Sequence, residues 1–475
     1  MTTHEFKAAG DHRSFKKRLI LLLDGTWNDS DFGPSDTNIV RLREIIARTL
    51  AKQARAKGSA ANNGDLVHPF NDSSNVDNLV FYERGVGTEW YDRYTGGIFG
   101  SGLNGKIRSA YEFLSFHYEP GAEIFIFGFS RGSYTARSLV GYIAAAGLLK
   151  RENCTPENES KAWNFYRQPP GRRMPGTWSQ LQPLMHPLDT FHIHCLGVFD
   201  TVGALGIPGA RFKLFNRDDF EFHDVDLSSI THLNLHAVAI DEHRNPFEAA
   251  LWRQPKFKRF NSYTEQVWFT GVHSDIGGGY IPETTRSTKS PQALDDITLD
   301  WMLKRVLAKY PTFPADKSFW PQTDEKWAPA VQHESLKGLY RIFRRTLRSI
   351  GNYPLRRKGI YEYNGCYDRH AVSMFEKVHI SALQRLGEKV TKVGLWKRSH
   401  RYRPENLVEA LPVIRATYKA PGAPLLSGAE VHVIDWSGRE LDPINPADCQ
   451  RVLSVVTDAE KRLKLPPAPP TCSNS

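Results

Sequence analysis

An α/β fold, with a mostly parallel sheet and helices on both of its faces, is what this 475-residue sequence predicts, on three observations. Apolar runs of strand length alternate with amphipathic segments of helix length, the pattern of a sheet covered on both sides. One run, EIFIF at 123–127, ends in the pentapeptide Gly128 to Gly132 (GFSRG) and passes at once into the helix-like YTARSLVGYIAAAGLL. The residues best suited to chemistry fall at the carboxyl ends of strands, where open α/β sheets place their sites.

The elements follow in order. RLILLLD (18–24) reads as the first core strand, and TNIVRLREIIARTLAKQ (37–53) as a helix with Thr37 as its N-cap. NVDNLVFYERGVG (75–87) gives a second strand. Residues 88–101 are rich in glycine and aromatics, and GLNGKIRSAYEFLSFHY (102–118) is helical. After the strand and helix around GFSRG, residues 151–190 carry many Pro, Arg and Asn and no clear strand, so they read as an insertion over the site. Strands ending at Asp200, Ile240 and His273 come next, and ITLDWMLKRVLAKY (297–310) closes the unit as an amphipathic helix. Residues 1–310 are thus expected to form a catalytic domain. Residues 311–475 are expected to form an α-rich extension with irregular segments.

A strand that ends in Gly-x-Ser-x-Gly and turns straight into a helix forces its serine into a tight, strained turn. Both glycines are required because the two backbones pass too closely for side chains. Ser130 is then exposed at the sheet edge, and the N–H of Arg131, at a helix N-terminus, faces a developing oxyanion. A base and an orienting carboxylate follow downstream: FHIHCLGVFDTVGALGIP delivers Asp200, and EQVWFTGVHSDIGGGY delivers His273. The chain order Ser, Asp, His is that of α/β-hydrolases. In such a triad His273 takes the Ser130 proton while Asp200 fixes its tautomer. Asp275, two residues after His273, and Asp241, in DEHRNPF, are the alternative carboxylates, and Asp241 and His243 are candidate polar groups around the site. Asp24, Gly25 and Thr26 end the first strand in the same register. A backbone N–H of Gly25 or Thr26 is the candidate second oxyanion donor, and Asp24 is expected to hold its loop by accepting backbone hydrogen bonds.

The blocks LLLDGTWND, GFSRGSYTAR, VFDTVGALGIP, AIDEHRNPF and FTGVHSDIGGGY, in this order, resemble a bacterial and fungal hydrolase-like family known as domain of unknown function 2235. That family includes the catalytic domain of type VI secretion phospholipase effectors. The resemblance spans roughly residues 16–310, with a weaker echo in KVHISALQRL and YRPENL. It implies an α/β-hydrolase core, with the family's serine, aspartate and histidine falling on Ser130, Asp200 and His273. It also implies a phospholipid or other ester substrate, no cofactor, and as partners a secretion apparatus and an immunity protein. A short-chain carboxylesterase, a peptidase, or a non-catalytic binding protein on a hydrolase fold are the alternatives.

Composition fits a soluble enzyme, with 40% hydrophobic and 24% charged residues. The five cysteines are scattered, with no CxxC or Cys/His cluster, so thiols are expected and a zinc site is not. GTEWYDRYTGGIFGSG lacks the Gly-Lys-Ser/Thr ending of a phosphate loop. The apolar part of KKRLILLLDGTW is only about six residues and ends in Asp24, so it reads as a strand and not a signal peptide. No stretch approaches the ~20 apolar residues of a membrane span, and the expectation is a protein cytoplasmic as made and exported, if at all, by a type VI system. The formal charge of +10 concentrates in LKGLYRIFRRTLRSIGNYPLRRKG (336–359), which reads as a helix with an apolar stripe and a basic face, fit to lie on an anionic membrane. Residues 88–101 are a second docking candidate. No nucleic-acid recognition pattern is present.

Overall fold

The computed structural model describes residues 16–25, 36–56, 70–71, 76–84, 98–187, 190–202, 228–244, 247, 249–252, 262–280, 293–335, 345–351, 376–394, 396–419 and 430–465. Its centre is a ten-stranded sheet. The parallel strands are β1 (Lys16–Leu23), β3 (Val76–Glu83), β4 (Glu123–Phe129), β5 (Ile193–Phe199), β6 (Thr231–Ala239), β7 (Tyr263–Phe269), β9 (Glu376–His379) and β12 (His432–Ile434). The short β2 (Phe70–Asn71) and β13 (Glu440–Leu441) pair antiparallel at the two edges. The order is β13-β12-β9-β7-β6-β5-β4-β1-β3-β2. The chain moves from β1 outward to β3 and then returns to place β4 on the other side of β1. The strand order therefore reverses between β1 and β4, which opens the crevice in which such sheets hold ligands.

The unbroken apolar character of the strands is explained by cover on both faces. Leu19, Leu21 and Leu23 of β1, with Ile124 and Ile126 of β4, face α2 (Ile98–His117) and α3 (Arg131–Ala146). Ile20 and Leu22, with Phe125 and Phe127, face α1 (Asn38–Ala56) and a helix at Leu294–Lys309. Alternate residues of one strand thus enter different cores, as the two-residue period of a strand requires. Every residue from Glu123 to Phe129 is buried.

Residues 151–187 form α4 (Pro156–Arg167), α5 (Pro175–Leu181) and short 3-10 turns. They pack on the outer side of α2 and α3 through Trp163, Phe165, Tyr166 and Leu181. Glu159, fully buried, accepts from Arg108 and from Tyr142, and His186 N–H donates to Leu148 O. Arg108 lies on α2, and Tyr142 and Leu148 lie at and just beyond the carboxyl end of α3, whereas Ser130 precedes the amino end of α3, so these contacts hold the described part of the insertion on the helices, away from that end.

The chain beyond 310 is not an appended unit. Strands β9, β12 and β13 extend the central sheet from β7, and Trp268 and Val238 share a core with the helices Ile380–Arg385, Glu405–Lys419 and Pro446–Leu463. A second sheet joins β8 (Gln332–His333), β10 (Lys389–Val393) and β11 (Lys397–Arg401). The basic amphipathic helix expected over 336–359 is corrected where it is described. Residues 345–351 are extended and irregular, with Arg348 and Ile350 buried. Most of 88–101, the other docking candidate, lies outside the described residues. Among the described residues no helix is long and apolar enough to cross a membrane.

Candidate functional site

Ser130 sits between β4 and α3 with φ 58° and ψ −121°, a conformation that costs a non-glycine residue about 1–3 kcal/mol. The flanking glycines allow it. A Cβ on Gly132 would lie 2.1 Å from Leu23 O, and one on Gly128 would lie 2.6 Å from Gly132 O. The turn is also tied to the next strand, since Ser130 N–H and Ser133 Oγ both donate to Phe199 O, at 3.1 and 2.9 Å.

Phe199 is followed by Asp200, itself at φ 39° and fully buried. Asp200 Oδ2 lies 2.6 Å from His273 Nδ1. Its Oδ1 accepts from Ala239 N–H at 2.9 Å. His273 opens a five-residue helix after β7, and its ring lies between Phe129, 4.7 Å between centroids, and Phe247, 5.0 Å in an edge-on contact. Gly277 makes room for this arrangement, because a Cβ there would fall 2.0 Å from the Phe129 ring. The three expected residues therefore stand at the ends of β4, β5 and β7, joined through Phe129 and Phe199. Among the described residues no hydrogen bond links Ser130 Oγ to His273 Nε2; catalytic contacts of this kind often tighten only in the complex with substrate.

Arg348, in the segment expected to form a basic amphipathic helix, turns inward instead. It is buried, and its Nη1 and Nη2 donate to Asp200 Oδ1 and Oδ2 at 2.6 and 3.0 Å. Burial pushes the Asp200 carboxyl upward, but the charge of Arg348 and the bonds from His273 and Arg348 overcome it and hold the group well below the usual carboxylate range. For His273, burial outweighs the pull of Asp200, and the imidazole titrates below its ordinary value. A carboxylate on Nδ1 with a neutral ring leaves Nε2 as a proton acceptor.

Glu242 and Arg244 were also missed, although both lie in the DEHR motif. Glu242 Oε2 accepts from His273 N–H at 3.2 Å and pairs with Arg244 Nη2 at 3.0 Å. Burial raises this carboxyl, but Arg244 overrides it and lowers it to about 2. Arg244 in turn lies 3.5 Å over the Phe247 ring.

The other expected residues have different partners. Asp275 accepts from Val272 N–H and His333 N–H, and its Oδ1 lies 2.5 Å from His333 Nδ1. Asp241 accepts from Gly271 N–H at 2.8 Å and Tyr402 OH at 2.9 Å, and burial raises its carboxyl. Neither carboxylate bonds the His273 ring. His243 Nδ1 lies 3.3 Å from Thr346 O, and its Nε2 lies 3.0 Å from Arg345 Nη2. Burial, then the charge of Arg345, lowers this imidazole to about 4.

Asp24 lies buried among three donors at the end of β1. It accepts from Gly25 N–H at 2.7 Å, Thr37 Oγ1 at 2.9 Å and Tyr82 OH at 3.1 Å, and burial pushes it up to about 6. The same contact corrects the expectation for Gly25: its N–H is turned to Asp24 and is not presented to a substrate. Gly25 is nevertheless close to the nucleophile position, since a Cβ on it would lie 3.1 Å from Ser130 Cβ. Thr26 lies outside the described residues. Arg131 begins α3 and keeps the positive end of that helix beside Ser130. Among the described residues no group of three or more His, Cys, Asp or Glu is arranged to hold a metal ion.

Comparison with known proteins adds family to geometry. A Saccharomyces cerevisiae protein, YEL023C, is 30% identical over 245 residues, covering 50% of this chain and 33% of its own length. The match thus spans about a third of that relative. Two solved structures are similar at low identity. The Tle1 effector bound to the VgrG spike of the type VI secretion system is 18% identical, covering 60% of this chain and 57% of that one, with a TM-score of 0.30. An uncharacterized protein from Pseudomonas aeruginosa is 17% identical, covering 66% and 47%, with a TM-score of 0.34. Residues 17–305, more than half of the chain and the whole stretch from β1 through Ser130, Asp200 and His273, match the family model for type VI secretion phospholipase effectors, and the chain belongs to this family of Tle1-like catalytic domains.

Proposed function

We propose that the protein hydrolyses carboxylic esters of membrane phospholipids through an acyl-enzyme on Ser130. The observation that carries this reading is the 2.6 Å contact between Asp200 and His273, buried beside a serine in a strained strand-to-helix turn. The order β3-β1-β4-β5-β6-β7, with the serine after the strand next to the switch point, supports a hydrolase-type sheet. Ser130 Oγ attacks the ester carbonyl carbon while His273 Nε2 takes its proton. Asp200 holds the ring through Nδ1 and stabilises the imidazolium. The oxyanion faces the amino end of α3 at Arg131. His273 then protonates the departing glycerol oxygen, the lysophospholipid leaves, and water, activated by the same histidine, releases the fatty acid.

Phospholipid as substrate and delivery by a secretion system rest on the family. An immunity partner belongs to the same proposal. Mass spectrometry of phospholipid vesicles incubated with wild type and Ser130→Ala tests the substrate. Lysophospholipid and free fatty acid should appear in equal amounts with wild type alone. Hydrolysis confined to short soluble esters would replace the phospholipase reading with a carboxylesterase, and equal products from Ser130→Ala would remove the serine mechanism.

A further inference from the structure

Arg348 comes from residues 345–351, beyond the 17–305 region of the family match. The residue is 4% exposed, and its guanidinium spans both oxygens of Asp200. Among the described residues it also donates to the carbonyls of Ala239, at 3.0 Å, and Phe247, at 2.6 Å. Asp200 Oδ2 is thus shared by Arg348 Nη2 and His273 Nδ1, while Oδ1 is shared by Arg348 Nη1 and the Ala239 N–H. Such a fork fixes the carboxylate plane as well as its charge. Building on the serine mechanism above, we propose that Arg348 is a positioning residue of the reaction: it locks the orientation and ionisation of Asp200 and thereby makes the alignment of His273 depend on the C-terminal segment.

The physical reason is that a buried carboxylate with no cation either takes up a proton or turns toward whatever donor is nearest. A protonated or rotated Asp200 no longer directs the lone pair of Oδ2 at His273 Nδ1. The arginine has a second effect, because it cancels part of the negative charge that would raise the basicity of His273. Among the described residues, the following groups face these two side chains. His273 meets Asp200 at Nδ1 and Glu242 at its backbone N–H, with Arg244 paired to that glutamate. On its own short helix is Asp275, tied to His333. Near Asp200 lies His236, whose Nε2 accepts from Thr201 N–H and which burial keeps neutral. Glu242 and Arg244 pair with each other, and among the described residues Arg348 is the arginine or lysine in direct contact with the Asp200 carboxylate.

The test uses the full chain and three variants, Arg348→Gln, Arg348→Lys and Arg348→Ala. Hydrolysis of a soluble p-nitrophenyl ester and the rate of Ser130 labelling by a fluorophosphonate are followed from acid to alkaline pH. For Arg348→Gln, kcat should fall about 100-fold with KM within about twofold, the signature of lost alignment and not lost binding. The acid limb should move to higher pH, because without the guanidinium charge the Asp200–His273 pair takes up its proton at higher pH, whichever of the two carries it. Arg348→Lys retains the charge but not the fork, and should fall about tenfold. Guanidinium ion at millimolar concentration should restore part of the activity of Arg348→Ala. A folded Arg348→Gln with kcat within about twofold of wild type, or with lower kcat but an unmoved acid limb, would reduce Arg348 to a structural contact. Should Arg348→Gln fail to fold, an Arg348→Lys enzyme indistinguishable from wild type overturns the proposal equally. Failure of the parent reading looks different: Ser130 would not be labelled in the wild type at all.

Discussion

The strained turn of the nucleophile is made possible by its chain neighbours, with β1 and Phe199 O behind it, whereas the carboxylate of the acid side is held wholly by residues far away in sequence. Ser130 needs Gly128 and Gly132, within two positions, and the backbone of β1 against which Gly132 packs. Asp200 needs Ala239, His273 and Arg348, the last of them 148 positions downstream. The first construction writes itself into a short motif. The second leaves almost no local signature, because a buried guanidinium that ends at a carboxylate looks, in sequence, like any arginine among apolar residues.

Predictions that probe this contrast run from the chemistry outward. Ser130→Ala should leave circular dichroism unchanged and lower kcat by roughly four to six orders of magnitude, and His273→Ala should cost about as much, since the two act as a unit. A Ser130→Ala enzyme with a tenth of wild-type activity would mean that the local motif is a mere turn. Asp200→Asn comes next. It should lower kcat about 10⁴-fold if the residue fixes the His273 tautomer, while Asp275→Asn and Asp241→Asn change kcat by less than about tenfold. The reverse ranking, measured on one ester under identical conditions, would move the acid to another strand end.

A smaller effect concerns pH. His273 acts as a base only when neutral, and burial lowers its affinity for protons despite Asp200. Activity should therefore persist below the ordinary imidazole range, with the acid limb of kcat/KM falling below pH 6.5, and fail only as His273 becomes charged. An acid limb above that value would show that Asp200 dominates burial. The mildest effect is on stability. Asp275→Asn weakens the contacts to His333 and Val272 and should cost about 1–3 kcal/mol in chemical denaturation, with the acyl chemistry retained.

How far the sequence alone reached follows the same division. Strand ends were legible because the sheet is buried on both faces, so its strands read as apolar runs that stop abruptly at Asp24, Ser130, Asp200 and His273. The alternation of strands and helices was legible for the same reason. The continuation of the sheet past residue 310 was not. β9 has only the four residues EKVH and β12 only HVI, too short to stand out from a helix segment or a loop. The charged pattern of 336–359 misled for a physical reason too. Helical spacing of arginines and apolar residues describes an amphipathic helix equally well as an irregular strap that sends Arg348 inward and leaves Arg345 at the surface beside His243. Gly25 shows the limit of register arguments, since being at the right strand end did not decide where its N–H points.

Covalent capture tests the central claim most directly. Wild type, Ser130→Ala and Asp200→Asn are incubated with a long-chain fluorophosphonate, and intact mass and peptide mapping locate the adduct. One phosphonyl group should appear on Ser130 in the wild type, none in Ser130→Ala, and the reaction should slow by orders of magnitude in Asp200→Asn, because only a serine with an aligned base attacks phosphorus rapidly. An adduct on another residue, or an unlabelled wild type that still hydrolyses ester, would contradict the account.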